Sequence, residues 1–144
     1  MSYLASAALQ GAVYQALRED EALGELVGDA IYDAMPVSAP SGVYVALGPE
    51  DVSDAGDMTA KAARHDFVIS VLSGADEGGG GFAGVKAAAA AVTAALEAAA
   101  LELDRGHVAG LWFLRGRARR ADGGAGRRVD MTFRAAVDLA QKHH

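Results

Sequence analysis

The chain has 144 residues, of which 51% are hydrophobic and 22% are charged, and this composition is typical of one globular domain. It contains no cysteine, which excludes disulfides, thiol catalysis and thiolate metal sites. No apolar run reaches the roughly 18 residues of a membrane-spanning helix, and no basic segment precedes an apolar core at the N-terminus. We therefore expect a protein of the cytosol, or a part of something assembled there, with no membrane partner.

The charge of the chain is unevenly distributed. Its net charge is −6, but residues 1–72 carry 11 acidic and 3 basic side chains, whereas residues 73–144 carry 8 acidic and 10 basic ones. Within residues 115–128, six arginines stand against a single acid, Asp122. A surface polarised in this way favours self-association, or docking between unlike surfaces.

Two helices are predicted at the start of the chain. Residues 2–18 form an amphipathic helix, because their apolar side chains recur at helical spacing. Asp20 is placed to cap a second, short helix that ends at Gly28. Residues 30–35 and 43–47 then read as extended, the second run being closed by Gly48 and Pro49.

The next stretch, residues 49–62, is acidic and has little apolar content. It predicts either a long loop or the two arms of a hairpin. Residues 66–72 follow as a strand with at least one buried face, because Phe67, Ile69 and Val71 alternate with their neighbours. The acidic side chains of this stretch are Glu50, Asp51, Asp54 and Asp57.

A glycine-rich segment, residues 74–84, leads into a helix predicted from about 85 to 100. Gly79 to Gly84 match the G-x-G-x-x-G pattern of dinucleotide-binding loops. The loop is too long for the tight turn of that fingerprint, and Asp76 and Glu77 would repel a phosphate. We therefore interpret the segment as a flexible connector and expect no cofactor.

The chain closes with a predicted β-hairpin, formed by strands at 106–120 and 127–139 around a glycine-rich turn. Val129, Met131 and Phe133 are expected on one buried face, and either Trp112 or Phe113 in the core. Strands that follow one another in runs, with helices set apart, predict an α+β fold. We expect a mostly antiparallel sheet with the helices packed on one face.

The histidines offer a weak case for catalysis or metal binding. His65, next to Asp66, and His107 could form an acid/base pair, but no motif places a nucleophile beside them. His65, at the predicted start of a strand, is more simply an edge or surface residue. His143 and His144 lack the spacing of a metal motif, so we expect no metal site and no enzyme activity.

The arginines of the hairpin are the most informative polar feature. Arg115, Arg117 and Arg119 alternate and therefore project from one face of their strand, with Arg127 and Arg128 nearby on the return strand. They predict either an electrostatic interface or a solvated face that balances the acidic half of the chain. The candidate interface with another subunit or a partner comprises Arg115, Arg117, Arg119, Arg120, Arg127 and Arg128.

Short structural motifs lie along nearly the whole chain. They are Tyr14-Gln-Ala-Leu17, Leu23-x-x-Leu26-Val-Gly28, Ile31-Tyr-Asp33, Pro36, Tyr44-Val-x-Leu47-Gly48, Arg115-Gly-Arg-Ala-Arg-Arg-Ala-Asp-Gly and Val129-Asp-Met-Thr-Phe-Arg-Ala135. Together these motifs resemble those of the tail terminators and tail-completion proteins of long-tailed phages and gene transfer agents.

This resemblance implies a single terminator-like domain over residues 1–144 and a structural role at the head–tail junction of a phage-like particle. It implies a homo-oligomeric ring, a hexamer, that caps the tail tube, ends its growth and meets the head-side connector or stopper. DNA would be a partner only in passage through the ring, and the acidic loop with Glu50, Asp51, Asp54 and Asp57 would face the lumen or the tube. Two alternatives stay open: another head–tail connector such as a stopper, or a small nucleic-acid-binding module that uses the arginine hairpin.

Overall fold

The computed structural model describes residues 5–56, 61–74, 82–103, 106–121 and 126–139. The helices and strands in this part of the chain are, in order, α1 (Ser6–Glu19), α2 (Glu21–Val27), β1 (Ile31–Tyr32), β2 (Val43–Asp54), β3 (Ala62–Ser73), α3 (Ala83–Ala98), β4 (His107–Ala121) and β5 (Gly126–Asp138).

The two N-terminal helices are as predicted. Leu9, Val13 and Leu17 recur every four residues and are buried, so α1 packs through one stripe. The Asp20 carboxylate accepts a hydrogen bond from the Leu23 N–H at 2.9 Å and caps α2. Gly28 ends that helix at φ 61°, a conformation that glycine adopts without a steric penalty.

The five strands form one sheet in the order β1-β2-β3-β5-β4. β1 and β2 are parallel, and all other neighbours are antiparallel. This confirms the α+β fold and the closing strand pair. The predicted turn of the hairpin falls on residues 122–125, which lie outside the described part of the chain.

The helices cover one face of the sheet, which we call the helix face. The core joins α1, α2 and α3 to alternate strand residues such as Phe67, Ile69, Met131 and Phe133. Because α3 buries mainly alanine and valine, it can approach the sheet closely. The opposite face carries the intervening residues, among them Asp66, Ser70, Asp130 and Arg134, and we call it the open face.

One strand boundary differs from the prediction. β2 does not end at Gly48 and Pro49 but continues to Asp54, with a shift in register between Leu47 and Glu50. Pro49 has no N–H to donate, and a bulge lets the strand pass this residue without breaking the sheet. Of the two interpretations of residues 49–62, the hairpin arms are therefore correct, whereas β1, at two residues, is shorter than expected.

Candidate interaction surfaces

The hairpin arginines divide between the two faces of the sheet. Arg115, Arg117 and Arg119 pair in register with Thr132, Asp130 and Arg128 of β5, which confirms that they alternate onto one face, the open face. Arg120 and Arg127 pair with each other on the helix face. The Arg127 guanidinium lies 5.4 Å from the centre of the Phe82 ring, just before α3. The six predicted residues thus do not form one continuous surface.

Asp130 is the centre of a polar cluster on the open face. Its carboxylate accepts hydrogen bonds from Ser70 Oγ at 2.6 Å and Arg128 Nη2 at 2.8 Å, and from Arg119 Nε at 3.3 Å. Burial by itself would raise the pKa of Asp130, but the bonds from Arg128 and Ser70 and the nearby arginine charges outweigh it and lower that pKa. This carboxylate therefore holds the β3, β4 and β5 strands together.

A second ion pair crosses the same face. Arg134 binds Asp66 in a bidentate geometry, with Nε at 2.8 Å and Nη2 at 3.0 Å from the two carboxylate oxygens. The hydrogen bond from Arg134 lowers the pKa of Asp66 and raises that of Arg134 itself. The arginines of β5 on the open face are thus neutralised within the fold.

The arginines of β4 are different. Among the described residues, Arg115, Arg117 and Arg120 have no ion pair and no hydrogen-bond partner. Residues 112–120 are exposed at every position, on both faces of the strand. β4 is an outer strand of the sheet, so it also presents unpaired backbone groups. This strand therefore offers a cationic edge of which the fold itself uses only Arg119, bound to Asp130, for an ion pair among the described residues.

Apolar side chains are exposed on the same strand. Trp112 is 51% exposed, Phe113 47% and Leu114 37%. The expectation that Trp112 or Phe113 lies in the core is wrong: Phe113 touches the core only through its edge-on contact with Phe133, at 5.7 Å between ring centres. The reason is that the helices barely reach the outer strand. Alternation could not reveal this, because it identifies a face and not whether anything covers it.

The predicted acidic surface is not a loop. Glu50, Asp51 and Asp54 lie on β2, and Asp57 lies outside the described residues. Glu50 is held inside the fold, since it accepts a hydrogen bond from Ser6 Oγ at 2.5 Å and contacts His65 Nδ1 at 2.9 Å. Asp51 stands opposite Asp66 on the open face. These carboxylates therefore do not share one surface, because strand alternation sends them to opposite faces.

The structure also corrects the position of His65. This residue is fully buried on β3, the central strand of the sheet, rather than at an edge or on the surface. The strand begins at Ala62, so His65 continues the buried alternation of Phe67 and Ile69 on the helix face. Extending that alternation from Phe67 back to residue 65 would have predicted that His65 is buried on the helix face.

The arrangement around His65 does not resemble a catalytic triad. Ser6 donates to Glu50 rather than to the imidazole, so His65 cannot withdraw its proton. His107 begins β4, and β5 separates that strand from β3. Within the described ranges, no group of three or more metal-ligating side chains is found, and no helix is long and apolar enough to cross a membrane. Most of the glycine-rich connector, residues 75–81, lies outside those ranges.

Two comparisons with known proteins indicate the same kind of protein, and a third finds no match: no curated protein matches the chain in sequence. A solved structure described as the virion of a native gene transfer agent particle contains a chain that is 55% identical, with a TM-score of 0.84, and the match covers 95% of this chain and 99% of that one. The model of the family described as tail completion protein gp17 matches residues 11–138. The chain therefore belongs to the tail completion protein gp17 family.

Proposed function

We propose that the protein is the tail terminator of a phage-like particle of the gene transfer agent type. Its subunits form a ring, a hexamer, on the finished tail tube, stop the growth of the tube and meet the head-side connector. The observation that carries this proposal is the 55% identity, over nearly the full length of both chains, to a chain of a gene transfer agent virion. The role is structural rather than catalytic.

The distribution of charge and apolar surface supports a subunit that works in contact with other proteins. The arginines of β5 are satisfied by Asp66 and Asp130, whereas the cationic edge of β4 leaves charges and aromatic rings in solvent. Such an edge on an isolated domain is a liability that natural proteins usually cover or blunt.

The lumen of the ring is part of the proposal. Asp51 and Asp54 are exposed, whereas Glu50 is engaged with His65, so only part of the acidic set is free to repel DNA in passage. A position of β2 on the outer surface of the ring would contradict this assignment.

Deleting the gene in its own host and imaging the particles by negative-stain electron microscopy tests the function. A terminator predicts overlong or unjoined tail tubes beside filled heads. Tails of normal length that fail to join heads would indicate a stopper instead. Intact particles with normal tails would contradict any assembly role, and salt-sensitive binding of the purified protein to DNA would then support the nucleic-acid alternative.

A further inference from the structure

We infer that neighbouring subunits of the ring join through the two opposite edges of the sheet, with β4 of one copy against the β1 edge of the next. The inference rests on the proposed function, because it assigns the contact surfaces of the proposed ring. It commits to a second copy of this chain as the partner at both edges.

The first of these surfaces is the cationic edge, residues 112–120 of β4. It carries Arg115, Arg117, Arg119 and Arg120 and no acid, beside the exposed side chains of the Trp112–Leu114 segment. Among the described residues, only Arg119 of these four has an ion pair, with the shared carboxylate of Asp130. The outer backbone of the strand is free to pair, since β4 ends the sheet.

The second surface, which we call the acidic edge, comprises residues 28–37 at the other end of the sheet. It includes β1, the opposite outer strand, and contains two exposed carboxylates, Asp29 and Asp33, and neither lysine nor arginine. The fold uses one of these charges, Asp29, which lies 4.0 Å from Arg18.

The exposed apolar side chains point to the same two places. Six large hydrophobic residues are exposed in the described part of the chain, and five of them lie on the two edges. Met35 and Val37 belong to the acidic edge, with exposures of 47% and 106%, and Trp112, Phe113 and Leu114 belong to the cationic edge. The sixth, Leu26, lies on α2. An interface with an apolar centre and a charged rim needs exposed apolar side chains and charged side chains on both partners, and each edge carries both kinds.

The signs of the charges decide how the edges meet. Two cationic edges would place arginines against arginines, and two acidic edges would place carboxylates together, so both symmetric pairings are repelled. The unlike edges attract each other. Because they lie at opposite ends of one sheet, each copy can offer its cationic edge to one neighbour and its acidic edge to the other. Repetition of such a head-to-tail contact generates a closed ring when the rotation closes.

Crosslinking inside assembled particles tests the contact directly. The chain has no cysteine of its own, so Leu114→Cys and Val37→Cys introduce one thiol at each edge, both at exposed positions. Particles carrying an epitope-tagged double variant are treated with a short bis-maleimide. We expect a ladder of covalent multimers of the tagged chain, and no ladder from either single variant.

A charge exchange provides the second measurement. Arg117→Glu with Arg120→Glu, or Asp29→Lys with Asp33→Lys, should each lower the yield of particles with normal tails at least about tenfold, by setting like charges together. Combining all four substitutions exchanges the signs at these positions and should recover part of that yield. Glu97→Lys, an exposed reversal on α3 outside both edge segments, is the matched control and should leave the yield unchanged.

The outcomes separate this inference from the proposed function. Normal tails that contain the double-cysteine protein but yield no ladder would overturn the edge-to-edge contact and leave the terminator role standing. Dimers from Leu114→Cys alone would show that two β4 strands meet, and would also overturn it. If the tagged wild-type chain is missing from purified particles, the proposed function itself fails.

Discussion

The two strands of the C-terminal hairpin carry the same kind of charge and use it differently. On β5, Arg128 and Arg134 bind Asp130 and Asp66, and the alternate residues pack in the core. On β4, Arg115 and Arg117 have no ion pair and no hydrogen bond among the described residues, and the neighbouring rings are half exposed. The arginines of the two strands therefore have different roles, although they belong to the same hairpin. One strand stabilises the domain, and the other is available for contact with another molecule.

The largest expected effect contrasts two aromatic rings that touch across the hairpin. Phe133 is 2% exposed and stacks on Phe67, so Phe133→Ala should lower the free energy of unfolding by about 3–5 kcal/mol. Phe113→Ala, at the exposed position opposite, should cost less than about 1.5 kcal/mol. Urea denaturation of the purified variants measures both. Equal losses would contradict the division between a folding strand and a contact strand.

The next effect concerns the polar cluster of the open face. Asp130→Ala leaves Arg128 and Ser70 without their shared acceptor and should destabilise the domain by about 1–3 kcal/mol. Asp29→Ala, at a carboxylate that is fully exposed, is the matched control and should change stability by less than about 0.5 kcal/mol. Thermal unfolding followed by circular dichroism compares the two variants.

The same cluster predicts a dependence of stability on acid. The pKa values of Asp66 and Asp130 are lower in the folded protein than the ordinary aspartate value of about 3.9. Their contribution to stability is therefore complete above that ordinary value and is lost as the pH falls through the lower folded values.

Urea titrations at a series of pH values test this dependence. The double variant Asp66→Asn, Asp130→Asn should be less stable than the wild type at pH 7 and should lose less stability on acidification below about pH 4. Parallel curves for the two proteins would mean that these ion pairs do not respond to pH as the pKa directions require.

The smallest effect on folding is expected on β4. Arg117→Gln removes a charge that has no partner among the described residues, so it should alter the free energy of unfolding by less than about 0.5 kcal/mol. The charge-reversing Arg117→Glu should fold equally well and yet impair the joining of tails. Normal joining efficiency by Arg117→Glu would remove this arginine from the interface.

The pattern of the chain predicted most of the fold because local chemistry governs it. The stripe of α1, the Asp20 cap, Gly28 at the end of α2 and the alternation of β5 each depend on residues close together in sequence. The predicted end of β2 at Gly48 and Pro49 was wrong because it considered only local chemistry. Gly48 and Pro49 usually break a strand, but pairing with β3 on both sides of the bulge overrides that local preference.

The candidate surfaces were predicted less well than the fold. The alternation of Arg115, Arg117 and Arg119 was readable from spacing, whereas the contacts of Arg119 with Asp130 and of Arg128 with Ser70 require the pairing of the strands. The acidic edge was missed altogether. Its two carboxylates flank β1, and only the fold places that strand at the end of the sheet opposite β4.

The sequence by itself determined the α+β class, the unequal charge of the two halves and the resemblance to tail-completion proteins. These follow from composition, periodicity and short motifs, which act over a few residues. Tertiary structure alone decided that His65 is buried against Glu50, that Trp112 and Phe113 stay exposed, and which arginines are neutralised. The contacts of His65 with Glu50 and of Arg134 with Asp66 span 15 and 68 positions in the chain, and only the packing of the sheet brings such residues together.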